Sequence, residues 1–221
     1  MYLTFNTVSE LICLLAGSFC LYRDKEPAWR LLILYLFLVC CVEFSGIYFR
    51  KVLHQSNVPL YNIFLLIEGL AYSLFFYHLL RPYWRVGIWT AVWLLIFFAA
   101  FTTEVAITGL KSYANYTAST LAVVVVILCL CYYYCMLHAS EYFELGKYAP
   151  FWWVNGTLFF YFGSTTTNIF FSFLMTDYGA SFSFSIRYII LNVLNILLYC
   201  CWSYAFLCRY LQRRYTSSSA S

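Results

Sequence analysis

The run from Val58 to Leu80, VPLYNIFLLIEGLAYSLFFYHLL, is apolar over enough residues to cross a bilayer, yet it carries a carboxylate, Glu68, near its middle. A helix rising about 1.5 Å per residue needs about twenty apolar residues to span the hydrocarbon core. A transmembrane helix is therefore the one economical form for this stretch. An acid at that depth costs several kcal/mol on most scales, so it persists where it faces a bundle interior, finds a partner or performs a task. Glu68 marks where chemistry in this chain is expected.

The rest of the chain follows the same rule. Hydrophobic residues make up 64% of the 221 and charged residues 10%, a balance that no soluble domain of this length carries on its surface. Requiring about twenty mostly apolar residues per span predicts seven spans, at residues 5–22, 28–49, 58–80, 84–103, 116–138, 150–175 and 184–208. The expectation is an all-α membrane protein: one seven-helix transmembrane domain over residues 1–221, with 209–221 a short basic, then polar, cytoplasmic tail. The first span lacks the positive leader and small-residue cleavage site of a signal peptide and is read as a retained helix.

Orientation comes from the basic residues. With the N-terminus outside, Arg23, Lys25, Arg30, Arg81, Arg85, Lys147, Arg209, Arg213 and Arg214 fall inside, against Arg50, Lys51, Lys111 and Arg187 outside. That asymmetry predicts an outside N-terminus and an inside C-terminus. Trp29, Trp84, Trp152 and Trp153 fall near the inner ends, where indoles anchor at an interface or pack inward. The lipid bilayer is the expected partner, anionic inner-leaflet lipid being the simplest reading of the inner arginines and a cytoplasmic signalling partner the other. Basic residues do not interleave with aromatics in a patch, so no nucleic-acid partner is expected.

Depth along each span gives the candidate site. Glu10 lies about 8 Å, Glu43 about 9 Å and Glu68 about 15 Å below the outer face, at the helical rise. Tyr61, Glu68 and Tyr72 repeat at i, i+7 and i+11 and share a stripe, with Asn62 shallower on the same helix. In the seventh span Tyr188, Asn192, Asn195, Tyr199 and Ser203 form a polar seam below Arg187, and the sixth brings Ser164 to Asn168 to similar depth. The candidate ligand-binding or proton-binding residues are Glu10, Glu43, Glu68, Tyr61, Asn62, Tyr72, Asn168, Arg187, Asn192 and Asn195. The Asn and Thr side chains have a plain reading as hydrogen-bonded glue between helices. Three acids against one arginine leave protons, a cation or an amine-bearing ligand to balance the charge.

Other chemistries lack their residues. The ten cysteines all lie in or beside apolar runs, without nearby histidines, so they read as small hydrophobes and no metal or cofactor is expected. His54 falls in a loop, and His78 and His138 read as solvated helix ends. Neither an HExxH pair nor a GxSxG elbow occurs. An enzyme is therefore not the leading expectation.

The segments NVPLYNIFLLIEGLAYSLFFY and APFWWVNGTLFFYFGSTTTNIFFSF, with an acid in the second span, resemble a group of small seven-span inner-membrane proteins from Bacteroidota. The resemblance implies a bacterial inner-membrane location and topology rather than an activity. The Thr165-Thr166-Thr167 run before Asn168 departs from the more apolar stretch expected there. The leading functional expectation is a receptor-like or sensory module whose outward polar pocket binds a small polar or amphipathic ligand. A proton- or cation-coupled transporter is the alternative, opposed by the lack of halves that repeat and of proline-broken helices. A lipid-modifying enzyme with Glu68 as general base is the third, without a recognisable nucleophile or metal.

Overall fold

The computed structural model describes residues 4–139, 144–169 and 186–218, the side chains of 168, 186, 187 and 215–218 excepted. The described chain is all helical: α1 (Phe5–Leu21), α2 (Pro27–Lys51), α3 (Val58–Leu80), α4 (Gly87–Thr108), α5 (Asn115–His138), α6 (Ala149–Ile169) and α7 (Ile186–Ser218), with a 3-10 turn at Leu145–Lys147. Five of these, α2 to α5 and α7, are long and apolar enough to cross a membrane. At 17 residues α1 is shorter. In α6 the apolar run is diluted by Trp152, Trp153, Asn155 and the Ser164 to Asn168 stretch.

Local chemistry sets the ends. Prolines stand in the first turns of α2 and α3, where the missing N–H costs nothing. Thr4 caps α1 by accepting from the Thr7 N–H. Gly109, at φ 77, ends α4 with its N–H on the Val105 carbonyl at 2.8 Å. Two boundaries differ most from expectation. Helix α4 continues past Thr103 to Thr108 and so takes in Glu104. Helix α7 continues to Ser218, placing Arg209, Arg213 and Arg214 on a helix rather than in a tail. The predicted stretches 170–175 and 184–185 lie outside the described residues, as do 219–221.

The chain packs as two compact units, one of α1, α6 and α7 and one of α2 to α5. In the first, α7 packs against both α6 and α1. Apolar burial gives no preference for helix over lipid inside a bilayer, so close backbone approach and hydrogen bonds must hold helices together. Gly156 faces Cys201 and Leu198 of α7, and Gly163 faces Leu194, so the two helices run antiparallel along a glycine-bearing face. Trp153 and Trp202 stack at 5.2 Å beside it, and the Trp202 indole donates to the Thr157 hydroxyl at 3.2 Å. Helix α1 turns Thr7, Glu10, Cys13, Gly17 and Cys20 inward and exposes Phe5, Ile12, Leu15 and Phe19. Small and polar residues thus face the unit's interior and large apolar ones face outward. Its C-terminal end meets that of α7, where Arg213 donates to the Cys20 carbonyl and Phe19 meets Tyr210, so these two helices run parallel.

In the second unit α3 is the centre, packed against α2, α4 and α5. The Phe97 ring of α4 sits against Gly69, where a Cβ would come within 2.5 Å of it. One turn on, Ser73 donates to the Gly69 carbonyl and accepts from the Trp93 indole at 3.1 Å. Trp29 meets Phe75 edge-on at 5.1 Å, and Tyr35 meets Tyr72 at 6.0 Å. Trp29 and Trp153, placed by the sequence near interfaces, are thus core residues of their units, whereas Trp84 is exposed.

Gly156 gives a direct check of the packing. A Cβ there would stand 2.7 Å from the Cys201 Cβ and 3.2 Å from a backbone oxygen, neither of which can swing away. Gly156→Ala is expected to destabilise the protein by about 1–3 kcal/mol, read as a lower midpoint in detergent unfolding. Gly146→Ala, with open space around it, should leave the midpoint unchanged.

Candidate functional site

Two loops share one end of the α2–α5 unit. The first joins α2 to α3 and the second, residues 109–114, joins α4 to α5. The second is tied to α3 by Asn62, in that helix's second turn. Its amide donates to the Leu110 carbonyl at 3.1 Å and the Ser112 carbonyl at 2.8 Å, and its oxygen accepts from the Ala114 N–H at 3.0 Å. The side chain is 0% exposed. Both amide protons and the side-chain carbonyl are thus engaged in holding the loop.

The start of α5 has no cap of its own, since Ala114 occupies the N-cap position. Glu104, reaching across from α4, supplies it. One carboxylate oxygen accepts from the Tyr116 N–H at 3.0 Å, and the other from the Thr117 N–H at 2.8 Å and its hydroxyl at 2.7 Å. The carboxylate thus satisfies orphan donors at the positive end of α5. The Asn115-Tyr116-Thr117 sequence, formally a glycosylation acceptor, has its threonine 1% exposed against Glu104. Glu104 is absent from the residues that sequence pattern singles out. In the sequence Asn115, a good capping residue, stands directly before the expected start at 116, so nothing there pointed to Glu104.

Glu43 of α2 stands at the same end. Its carboxylate accepts from the Tyr61 hydroxyl at 3.0 Å. Gly46, one turn further along α2, gives the Tyr61 phenol its room: a Cβ there would lie 2.8 Å from the hydroxyl oxygen. Tyr61 therefore crosses from α3 to α2. Glu68, six residues deeper than Asn62, is half-buried. It and Glu104 both act electrostatically on Tyr113 of the α4–α5 loop. Burial, then the charges of Glu68 and Glu104, push the Tyr113 phenol up to about 12.

The remaining expected site residues are dispersed. Tyr72 is buried against Tyr35. Glu10 is buried in the α1–α6–α7 unit. Asn192 and Asn195 are half-buried on α7, the amide of Asn192 donating to the Tyr188 carbonyl at 2.6 Å within its own helix. The side chains of Asn168 and Arg187 lie outside the described residues. At the opposite end of the α2–α5 unit His78 is not a solvated helix end: its Nε2 stands 2.8 Å from the Glu26 carboxylate. Among the described residues no three His, Cys, Asp or Glu gather as metal ligands would. No known family model, curated protein or solved structure matches the chain.

Tyr113 yields a pH test. Because its folded value lies above the ordinary 10.0, the folded state holds the phenol proton longer than the unfolded chain does. Stability from this group is full below pH 10.0 and falls as pH rises towards about 12. Since 38% of the residue is exposed, solvent screening reduces the size of the effect. Tyr113→Phe should flatten the alkaline loss of stability and remove one late-titrating phenol from the ultraviolet titration.

Proposed function

We propose that this chain is a seven-span protein of the bacterial inner membrane, N-terminus outside and C-terminus inside, of receptor-like or sensory type. Its outward end of the α2–α5 unit binds a small ligand that carries a protonated amine. The observation behind this reading is the Glu43–Tyr61 pair: a half-buried carboxylate whose partner at 3.0 Å is an uncharged phenol. Among the described residues, one hydroxyl leaves most of this carboxylate's lone pairs without a proton to accept and its charge without a counter-charge. A cationic donor supplies both. Glu68, half-buried on the neighbouring helix α3, adds a second negative charge deeper in the same unit.

The output follows from the same contact. A ligand ammonium on Glu43 competes with the Tyr61 hydroxyl, and the phenol rests against Gly46. Binding would shift the α2–α3 contact between an arrangement with Tyr61 on Glu43 and one with it released, the kind of two-state element through which a ligand biases a helix bundle. A cytoplasmic partner would read the change.

The probe is butylammonium, followed by native mass spectrometry of the purified protein. Wild type should retain the amine, and Glu68→Gln and Glu43→Gln should each weaken retention about tenfold, the scale of one charge-assisted hydrogen bond. Equal retention by all three proteins would exclude these acids as the site. Coupled flux of the amine in proteoliposomes holding this chain alone would replace the sensory reading with a transporter. The topology is tested separately: alkaline phosphatase fused after Ser221 should be inactive, and its β-galactosidase counterpart active.

A further inference from the structure

A groove of about 300 Å³ runs between α4 and α5 beside the Glu104 carboxylate, lined by Thr103, Thr108, Tyr116, Thr117 and Thr120. Its polar chemistry is one-sided. Thr103 gives its hydroxyl proton to the Ala99 and Ala100 carbonyls, Thr108 to Glu104 O, and Thr120 to Tyr116 O, at 2.8–2.9 Å. Thr117 gives its proton to Glu104 itself. Every threonine hydroxyl proton in the groove is thereby committed to the protein, and the threonine oxygens are left with lone pairs only. With the carboxylate beside them, the threonines and Glu104 offer acceptors and negative charge, and the exposed phenol of Tyr116 at the rim is the one hydroxyl whose proton is not given to Glu104 or to a carbonyl among these. Such a surface selects a multiple donor with positive charge, and a primary ammonium is the compact group of that kind.

The surroundings decide where the ammonium comes from. Ile107 lines the same groove and is 83% exposed, and Tyr116 is 81% exposed. Helix α4 is the least buried of the five apolar helices and turns Ile88, Trp89 and Leu95 outward as well. A headgroup in the groove would have its acyl chains against this apolar face, which a free amine cannot use. We propose that the α4–α5 groove is a binding site for a phospholipid with a primary ammonium headgroup, held by Glu104 and the hydroxyl oxygens of Thr103 and Thr120. The site is separate from the Glu43–Tyr61 pair and does not rest on the sensory reading.

The test is lipid competition read by native mass spectrometry. The whole protein is equilibrated with equal amounts of phosphatidylethanolamine and phosphatidylglycerol of matched acyl chains, then released from detergent. Wild type should retain phosphatidylethanolamine about tenfold over phosphatidylglycerol, the factor expected of one charge-assisted hydrogen bond. Thr103→Val with Thr120→Val removes two exposed acceptors and leaves the capping bonds of Glu104 in place, and should bring the ratio close to one. Glu104→Gln should do the same. On wild type alone, N-acetylated phosphatidylethanolamine, with its charge blocked, should be retained no better than phosphatidylglycerol. Three results would overturn the proposal: no preference in wild type, an unchanged preference in the folded double-threonine variant, or displacement of the lipid by free ethanolamine, which would make the ligand a soluble amine.

Discussion

The amide of Asn62 is the contact on which the polar end of the α2–α5 unit depends. Backbone groups near lipid must find partners within the protein, because water is not there to replace them. The loop after α4 turns at Gly109 and leaves the Leu110 and Ser112 carbonyls and the Ala114 N–H facing inward. One buried side chain serves all three. Fixing Ala114 fixes the first turn of α5, and only with that turn in place can Glu104 of α4 meet the Tyr116 and Thr117 N–H groups. Loop, cap and groove are therefore consequences of one residue on α3.

Elsewhere the two units solve the same packing problem with different residues. In the α1–α6–α7 unit the backbones themselves approach, through Gly156 and Gly163, and a stacked pair of tryptophans fills the space beside them. In the α2–α5 unit a glycine serves to admit a ring: Gly69 receives Phe97, and Gly46 receives the phenol of Tyr61. Hydrogen bonds accompany each close approach, Thr157 with Trp202 in one unit and Ser73 with Trp93 in the other. The pairing is physical. Where lipid competes equally for apolar surface, specificity must come from shape and from polar groups with one good partner.

Sequence pattern reads the helices well where punctuation is strong. Helix α3 runs from Val58 to Leu80 as expected, bounded by Pro59 in its first turn and by the Arg81-Pro82 step. Helix α4 is misread at its end because an acid after an apolar run resembles the start of water, whereas Glu104 is kept in the helix by donors from α5. Side-chain partners are less accessible than faces. The i, i+7, i+11 spacing places Tyr61 on a stripe with Glu68, but its hydroxyl goes to Glu43 on another helix. Asn62 reads as a ligand group because its partners, some fifty residues further on, are backbone atoms that no side-chain pattern encodes. Trp29 and Trp153 look like interfacial anchors by position and are core residues by contact.

The acids show why a buried charge is a weaker pointer to function than the coordination around it. Glu104 and Glu43 are the same residue at the same end of one unit. Glu104 accepts three hydrogen bonds and thereby joins two helices, so its charge has a structural reason to be there. Glu43 meets a single phenol. A carboxylate has room for about four donors, so Glu43 has more capacity left to bind than the fold explains, and Glu104 has little beyond the side it turns to the threonine groove. That difference separates a carboxylate whose charge the helix cap already uses from one whose charge the described contacts do not account for. It follows from counting donors around each oxygen, and depth in the membrane alone does not provide it.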